Sequence, residues 1–227
     1  MKLPLSNRLQ KCCQFVHPGD RVADIGCDHG YLGIYLLKNG IASSVIASDV
    51  NESPLQSAVI NARKFGVGSQ ISFYLSDGLR NIPKDFDCLV CAGMGADTMI
   101  SILEAAPWIR NPKYRLVLQC QSKRPELRKY LSSTGFSISR ETLVKDGKFI
   151  YPVMEVVYAP GIPLAPWEYY ITPQLLEDNS PLLPEFLARV IGGLEERAKG
   201  LHRDGGEKYE AVAEVLRHLQ ALKGATP

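Results

Sequence analysis

Two carboxylates and two glycines alternate in Asp24-x-Gly26-x-Asp28-x-Gly30. Glycine lets a backbone turn tightly and come close to a ligand. The apolar run from Tyr31 to Leu37 reads as a helix whose free N–H groups would face that ligand. Three more groups of this character recur, each behind a short apolar run: Asp49-Val50, Ser76-Asp77-Gly78 and Ala92-Gly93-Met94-Gly95. Asp49 lies 23 residues after Gly26, where an acid can accept from ribose hydroxyls. Asp77 can accept from an adenine amino group, and Gly78 leaves room for a ring. Gly93 and Gly95 bring backbone close to whatever reacts. Taken singly, each group reads as a cap or a turn. Four of them at successive strand ends read as one ligand site.

Those strand ends need an open α/β sheet, in which ligands bind beyond the carboxyl ends of the strands. Apolar runs predict strands over 22–25, 45–49, 71–75, 86–91 and 116–120, alternating with helices over 31–38, 52–65, 97–106 and 125–133. A first helix is expected over 5–16. Strands over 136–144 and 149–158 flank Asp146-Gly147, a hairpin signal. The expected fold is α/β and Rossmann-like, a mostly parallel seven-stranded sheet with one antiparallel strand. Pro160, Pro163 and Pro166 mark a linker. Beyond it, Leu183, Leu187, Val190, Leu194, Ala198 and Leu201 recur at helical spacing, as do Tyr209, Val212, Leu216, Leu219 and Leu222, on either side of Asp204-Gly205-Gly206. A C-terminal helical coiled-coil hairpin follows from that pattern. The expected domains are 1–160 and 161–227.

The 227 residues carry 45% hydrophobic and 22% charged side chains with a net charge of +2, an ordinary globular balance. No apolar run approaches the roughly 20 residues of a membrane span, and 1–13 lacks the apolar core of a signal peptide. Six scattered cysteines fit a reducing, cytoplasmic setting. Cys88 and Cys91 form C-x-x-C, but no second pair lies nearby in sequence and alternate strand residues face opposite ways, so no metal is expected. Arg110, Lys113, Arg115, Lys123, Arg124, Arg128 and Lys129 stand against Glu126 alone. Such a stripe is either a solvated face or a track for a phosphate backbone.

Two cofactors suit the first turn, a nicotinamide dinucleotide or S-adenosylmethionine. The dinucleotide fingerprint requires G-x-G-x-x-G, whereas this run is G-C-D-H-G. Asp28 would repel a pyrophosphate and attract a donor bearing a sulfonium and an ammonium group.

The stretches DIGCDHGYLG, ASDV, SDGL and AGMG, the following LVLQ, the terminal EVVY and the opening Ser6-Asn7-Arg8-Leu9 together resemble the bacterial tRNA (adenine-22)-N1-methyltransferase family of TrmK type. The likeness runs over nearly the whole chain. It implies a class I methyltransferase fold, S-adenosylmethionine as donor and tRNA as partner; a monomer with neither membrane nor metal is expected. The chain departs from the family pattern at Gly33, usually Pro, at Ala96, usually Gly, and at Cys120-Gln121, which replaces Pro-Asn or Pro-Met.

On this reading Asp24, Gly26, Cys27, Asp28, His29, Gly30, Asp49, Val50, Asp77, Gly78, Ala92 and Gly93 hold the donor. Asp28, His29 and Met94 are the catalytic candidates; Arg8, Tyr31, Gly95, Lys123 and Arg124 are the substrate candidates. Each has a plainer alternative. Asp28 tolerates a left-handed turn, His29 opens a helix, Tyr31 and Met94 fill core, Arg8 snorkels, and Asp97 caps a helix. A small-molecule methyltransferase, a donor-binding regulator and a nicotinamide oxidoreductase remain the competing classes.

Overall fold

The run that opens the first motif forms β1 (Asp20–Ile25), whose last four residues are buried, as a central parallel strand requires. It pairs in parallel with β2 (Ala42–Asp49) and β4 (Cys88–Met94). Outside these, β3 (Ile71–Leu75) lies parallel to β2 and β5 (Arg115–Cys120) parallel to β4. The hairpin of β6 (Phe136–Asp146) and β7 (Phe149–Tyr158) inserts β7 antiparallel to β5. The order is β3-β2-β1-β4-β5-β7-β6, a Rossmann-like sheet with β7 as its reversed strand. The computed structural model describes residues 3–161, 163–201 and 206–225.

Alternation along the strands builds two cores. Val22 and Val45 face one, with α1 (Asn7–Cys13), α2 (Tyr31–Lys38) and α3 (Glu52–Lys64). Ala23, Ile25 and Leu89 face the other, with α4 (Ala96–Glu104) and α5 (Arg124–Ser133). Cys88 and Cys91 fall into different cores, so the C-x-x-C pair cannot converge on one ion. Gly33 lets α2 approach the sheet: a Cβ there would stand 2.9 Å from Val45 Cγ1.

Several elements depart from the sequence expectation. The first helix is shorter, because Phe15 and Val16 turn into the core beyond it. β4 runs on through Met94, with an irregularity between Ala92 and Met94, so AGM belongs to the strand rather than to a loop after it. Gly95, not Asp97, is the N-cap of α4; Asp97 reaches outward to Lys123. The basic stripe does not form one surface. Arg115 turns in to pair with Asp20, and Arg128 pairs with Glu141, 1% and 0% exposed at their side chains.

The C-terminal helices share a third core with the sheet. α7 (Leu183–Leu201) and α8 (Glu207–Ala225) pack through Leu187, Leu194, Val212 and Leu219, joined by Leu143 of β6 and Ile150 of β7. Gln220 donates to Glu195 across the pair; Asp204 and Gly205 of the expected turn lie outside the described residues. A short α6 (Pro173–Glu177) was not anticipated; the Thr172 hydroxyl caps it by accepting from the Leu175 N–H. Arg128 joins the parts. It also donates to the Tyr169 and Tyr170 carbonyls at 3.0 and 3.2 Å, while Thr172 donates to the second oxygen of Glu141. Among the described residues no helix is long and apolar enough to cross a membrane.

Candidate functional site

The turn after β1 is held by its own backbone. The Gly26 and Cys27 N–H groups donate to the Ser48 carbonyl, and Gly30 donates to Cys27. Gly26 (φ 70°), Asp28 (φ 51°) and Gly30 (φ 71°) are left-handed, a conformation that Asp tolerates better than most residues. Asp28 is therefore a turn residue in its backbone, and its exposed carboxylate lies 3.6 Å from His29 Nε2. Asp49 ties this turn to the end of β2. Its two oxygens accept from the N–H groups of Asp28 (3.1 Å) and Asn51 (2.9 Å), which leaves further lone pairs on each oxygen.

Asp24 lies beneath the turn, 4% exposed. Its carboxylate accepts from the Gly33 N–H, one of the orphan donors in the first turn of α2. This is where the chain departs from the family's usual proline, which could not make that bond. Asp24 Oδ2 has no partner among the described residues. Burial, with the Asp49 charge adding a smaller push in the same direction, raises the Asp24 pKa to about 7. Asp24 borders a small cavity of about 90 Å³ lined also by Arg8, Gly26, Asp28, His29, Tyr31 and Ala92, among others. Cys27 also lines it; burial pushes its thiol far up, and Cys12 and Cys91 up to about 12. These cysteines are neutral filling around Asp24.

Across the cavity the end of β4 is fixed by Gln119, a residue the sequence reading passed over. Its Oε1 accepts from the Gly93 N–H (3.1 Å) and from Arg8 Nη1 (3.0 Å). Two obligate donors on one oxygen settle the orientation of the amide. A Cβ on Gly93 (φ 84°) would stand 3.0 Å from Arg8 Nη1, so glycine admits the guanidinium. Arg8 also lies 3.7 Å from Asp146. Met94 folds back over the turn: a Cβ on Gly26 would lie 2.2 Å from Met94 Cε. A Gln at a strand end was visible in LVLQ; its bond to a neighbouring strand was not.

The remaining candidates lie around this centre. Val50 is 62% exposed beside Asp49, and Leu75 is 53% exposed at the end of β3. Ser76 Oγ braces the next turn through the Gly78 carbonyl and the Asn81 N–H, and Asp77 pairs with Arg80 at 3.0 Å. Gly95, Lys123 and Arg124 lie on the far side of the β4 end. Lys123 pairs with Asp97, and Arg124 is part-buried over the Phe186 ring. The turn after β1, the Asp49 end and the β4 end thus converge, while Lys123 and Arg124 front a separate groove. No group of three or more His, Cys, Asp or Glu side chains among the described residues is arranged to hold a metal.

Residues 5–154 match the model of a methyltransferase domain. The chain belongs to that methyltransferase-domain family. A Bacillus subtilis tRNA (adenine(22)-N(1))-methyltransferase is 34% identical over 154 residues, 67% of this chain and 65% of the relative. The chain spans about three fifths of the length of the curated relatives it matches. Among solved structures, a Streptococcus agalactiae protein of the NADB-Rossmann superfamily superposes with a TM-score of 0.87 at 28% identity, covering 98% of this chain and 99% of that one. M. capricolum TrmK, solved with the cofactor product S-adenosylhomocysteine, superposes with a TM-score of 0.80 at 25% identity over 98% and 99% of the two chains. The likeness to TrmK therefore extends through the helices that follow this methyltransferase domain.

Proposed function

We propose that this chain is an S-adenosylmethionine-dependent tRNA methyltransferase acting on N1 of adenine 22, a monomer of the cytoplasm. The observation that carries the choice of donor is the carboxylate lining of the cavity. Asp24 lines the cavity and its Oδ2 is buried and unpartnered among the described residues, which fits an ammonium and disfavours a pyrophosphate. Asp49 has lone pairs left for ribose hydroxyls, and the exposed Val50 and Leu75 offer apolar surface to a purine. The acceptor follows from the likeness to the tRNA enzymes. In this reading 1–160 is the catalytic domain and 161–227 the helical unit that accompanies it.

When bound, S-adenosylmethionine supplies an electrophilic methyl group. The chain's own work is positioning, because adenine N1 carries a free lone pair at neutral pH. Asp24, Gly26 to Gly30, Asp49, Val50, Asp77, Gly78, Ala92 and Gly93 hold the donor. Met94 packs on the target ring from its place over Gly26, and Tyr31, Gly95, Arg8, Lys123 and Arg124 meet the RNA. Methylated adenine stays cationic until an amino proton leaves. Asp28, exposed at the rim with His29 beside it, takes that charge or that proton.

Transfer of labelled methyl to unmodified tRNA, followed by nucleoside analysis, tests the reading: 1-methyladenosine is expected, and its absence with every tRNA would sink it. Asp28→Asn, which keeps the left-handed turn and the N–H bond to Asp49, is expected to lower kcat about tenfold or more and to weaken donor binding as well. A variant turning over at the wild-type rate would leave Asp28 a turn residue only.

A further inference from the structure

Two cavities that the donor site does not use lie where the helices meet the sheet. One, about 590 Å³, opens beside Gly95 and Gln121 and is lined by Phe149, Tyr151, Arg124 and Arg189. The other, about 300 Å³, continues past Arg124 and Arg189 to Lys123, Tyr170 and Arg197. Arg124, Phe186, Arg189 and Val190 border both, so they form one groove. Among the described residues no carboxylate lines either part. Glu185 holds Arg189 and Asp97 holds Lys123, each at 2.6 Å, from the margins. Phe149 is 50% exposed at the mouth, its ring 6.0 Å from that of Tyr151. Arg124 lies 5.2 Å from the Phe186 ring and donates to the Ile150 carbonyl. Arg124 is thus fixed against the groove wall, while the Phe149 ring stays half exposed with Lys148 Nζ 5.3 Å from its centre.

Exposed aromatic faces next to a row of arginines are what an unstacked nucleotide needs. A base stacks on the ring whatever its identity, and the phosphates track the cations. The groove begins at Gly95, which follows the last residue of β4, Met94. We propose that the Phe149–Tyr151 cavity is a nucleobase subsite for an unpaired nucleotide flanking the methylated adenine, with Arg189 and Arg197 taking the adjoining phosphates. The proposal rests on the RNA reading and extends it to residues outside the methyltransferase motifs.

Phe149→Ala and Phe149→Trp, together with the double variant Arg189→Ala/Arg197→Ala, test it on the full chain. Phe149→Ala should raise the KM for unmodified tRNA about tenfold at unchanged kcat, and Phe149→Trp should restore it. The double arginine variant should lower the slope of log K for tRNA against log salt by about 1 to 2. Calorimetric titration with S-adenosylmethionine should give wild-type affinity for all three, which separates a lost RNA contact from a lost fold. If wild-type protein methylates tRNA while Phe149→Ala keeps its KM and the arginine variant its salt slope, the subsite is wrong and the functional reading stands. If wild-type protein methylates no tRNA, both fall. Competition for the groove by polyglutamate but not by a single-stranded oligoribonucleotide would assign it to an acidic peptide and overturn the proposal.

Discussion

Arg128→Ala should cost about 3–5 kcal/mol of stability, the usual penalty for stranding one partner of a buried ion pair. The side chain is fully enclosed, and three elements depend on it. Its removal leaves Glu141 a buried anion, and it strips a donor from the carbonyls of Tyr169 and Tyr170, which lead into α6. Thr172 alone would still donate to Glu141. Urea unfolding should show the loss, and thermal scans a fall of roughly 10 °C for a chain of this size. Limited proteolysis should cut the segment before α6 faster in the variant. Arg128→Lys should rescue little, because one ammonium cannot reproduce a planar fork bonded to a carboxylate and two carbonyls. A loss below about 1 kcal/mol would mean that the apolar third core alone, not this pair, holds the helices to the sheet.

Asp24→Asn should stabilise the empty protein at alkaline pH and weaken the donor complex. The folded Asp24 keeps its proton to about 7, whereas the unfolded reference loses it near 3.8. The native state therefore binds more protons in between, and stability falls as pH rises from about 4 to about 7, then levels off. That displacement is worth on the order of 4 kcal/mol above pH 7. Asparagine has no proton to lose and retains an acceptor for the Gly33 N–H, so the variant should gain a few kcal/mol at pH 8 and nothing at pH 4. S-adenosylmethionine should bind it about tenfold to a hundredfold less tightly, the value of a charge-assisted hydrogen bond. Wild-type affinity should rise with pH through about 7 as Asp24 ionises to meet an ammonium, and the variant's should stay flat. Equal pH profiles for both proteins would remove Asp24 from the donor site. The residue thus holds stability below its possible maximum in exchange for a ready binding group.

Much of this site was legible in the residues because its signals are local. A strand, a left-handed turn and a helix follow one another in the chain, so Gly26 to Gly30, Asp49 and Ser76-Asp77-Gly78 could be placed at strand ends from hydrophobic period and turn chemistry. The same signals set the helix Tyr31–Lys38 and the strands Ile71–Leu75 and Phe149–Tyr158. The sequence by itself thereby determined the sheet, its reversed strand and the polar turns at the strand ends. Tertiary structure alone decided what depends on partners far along the chain. Gln119 holds Gly93 and Arg8 from 26 and 111 residues away. Arg115 and Arg128, two of the cations in an apparent surface stripe, turn inward because Asp20 and Glu141 wait there. The left-handed Asp28 and the orphan oxygen of Asp24 acquire meaning only once β2, α2 and β4 close around them. Sequence spacing records which elements a segment forms; desolvation and hydrogen-bond partnership belong to the neighbours that packing brings up.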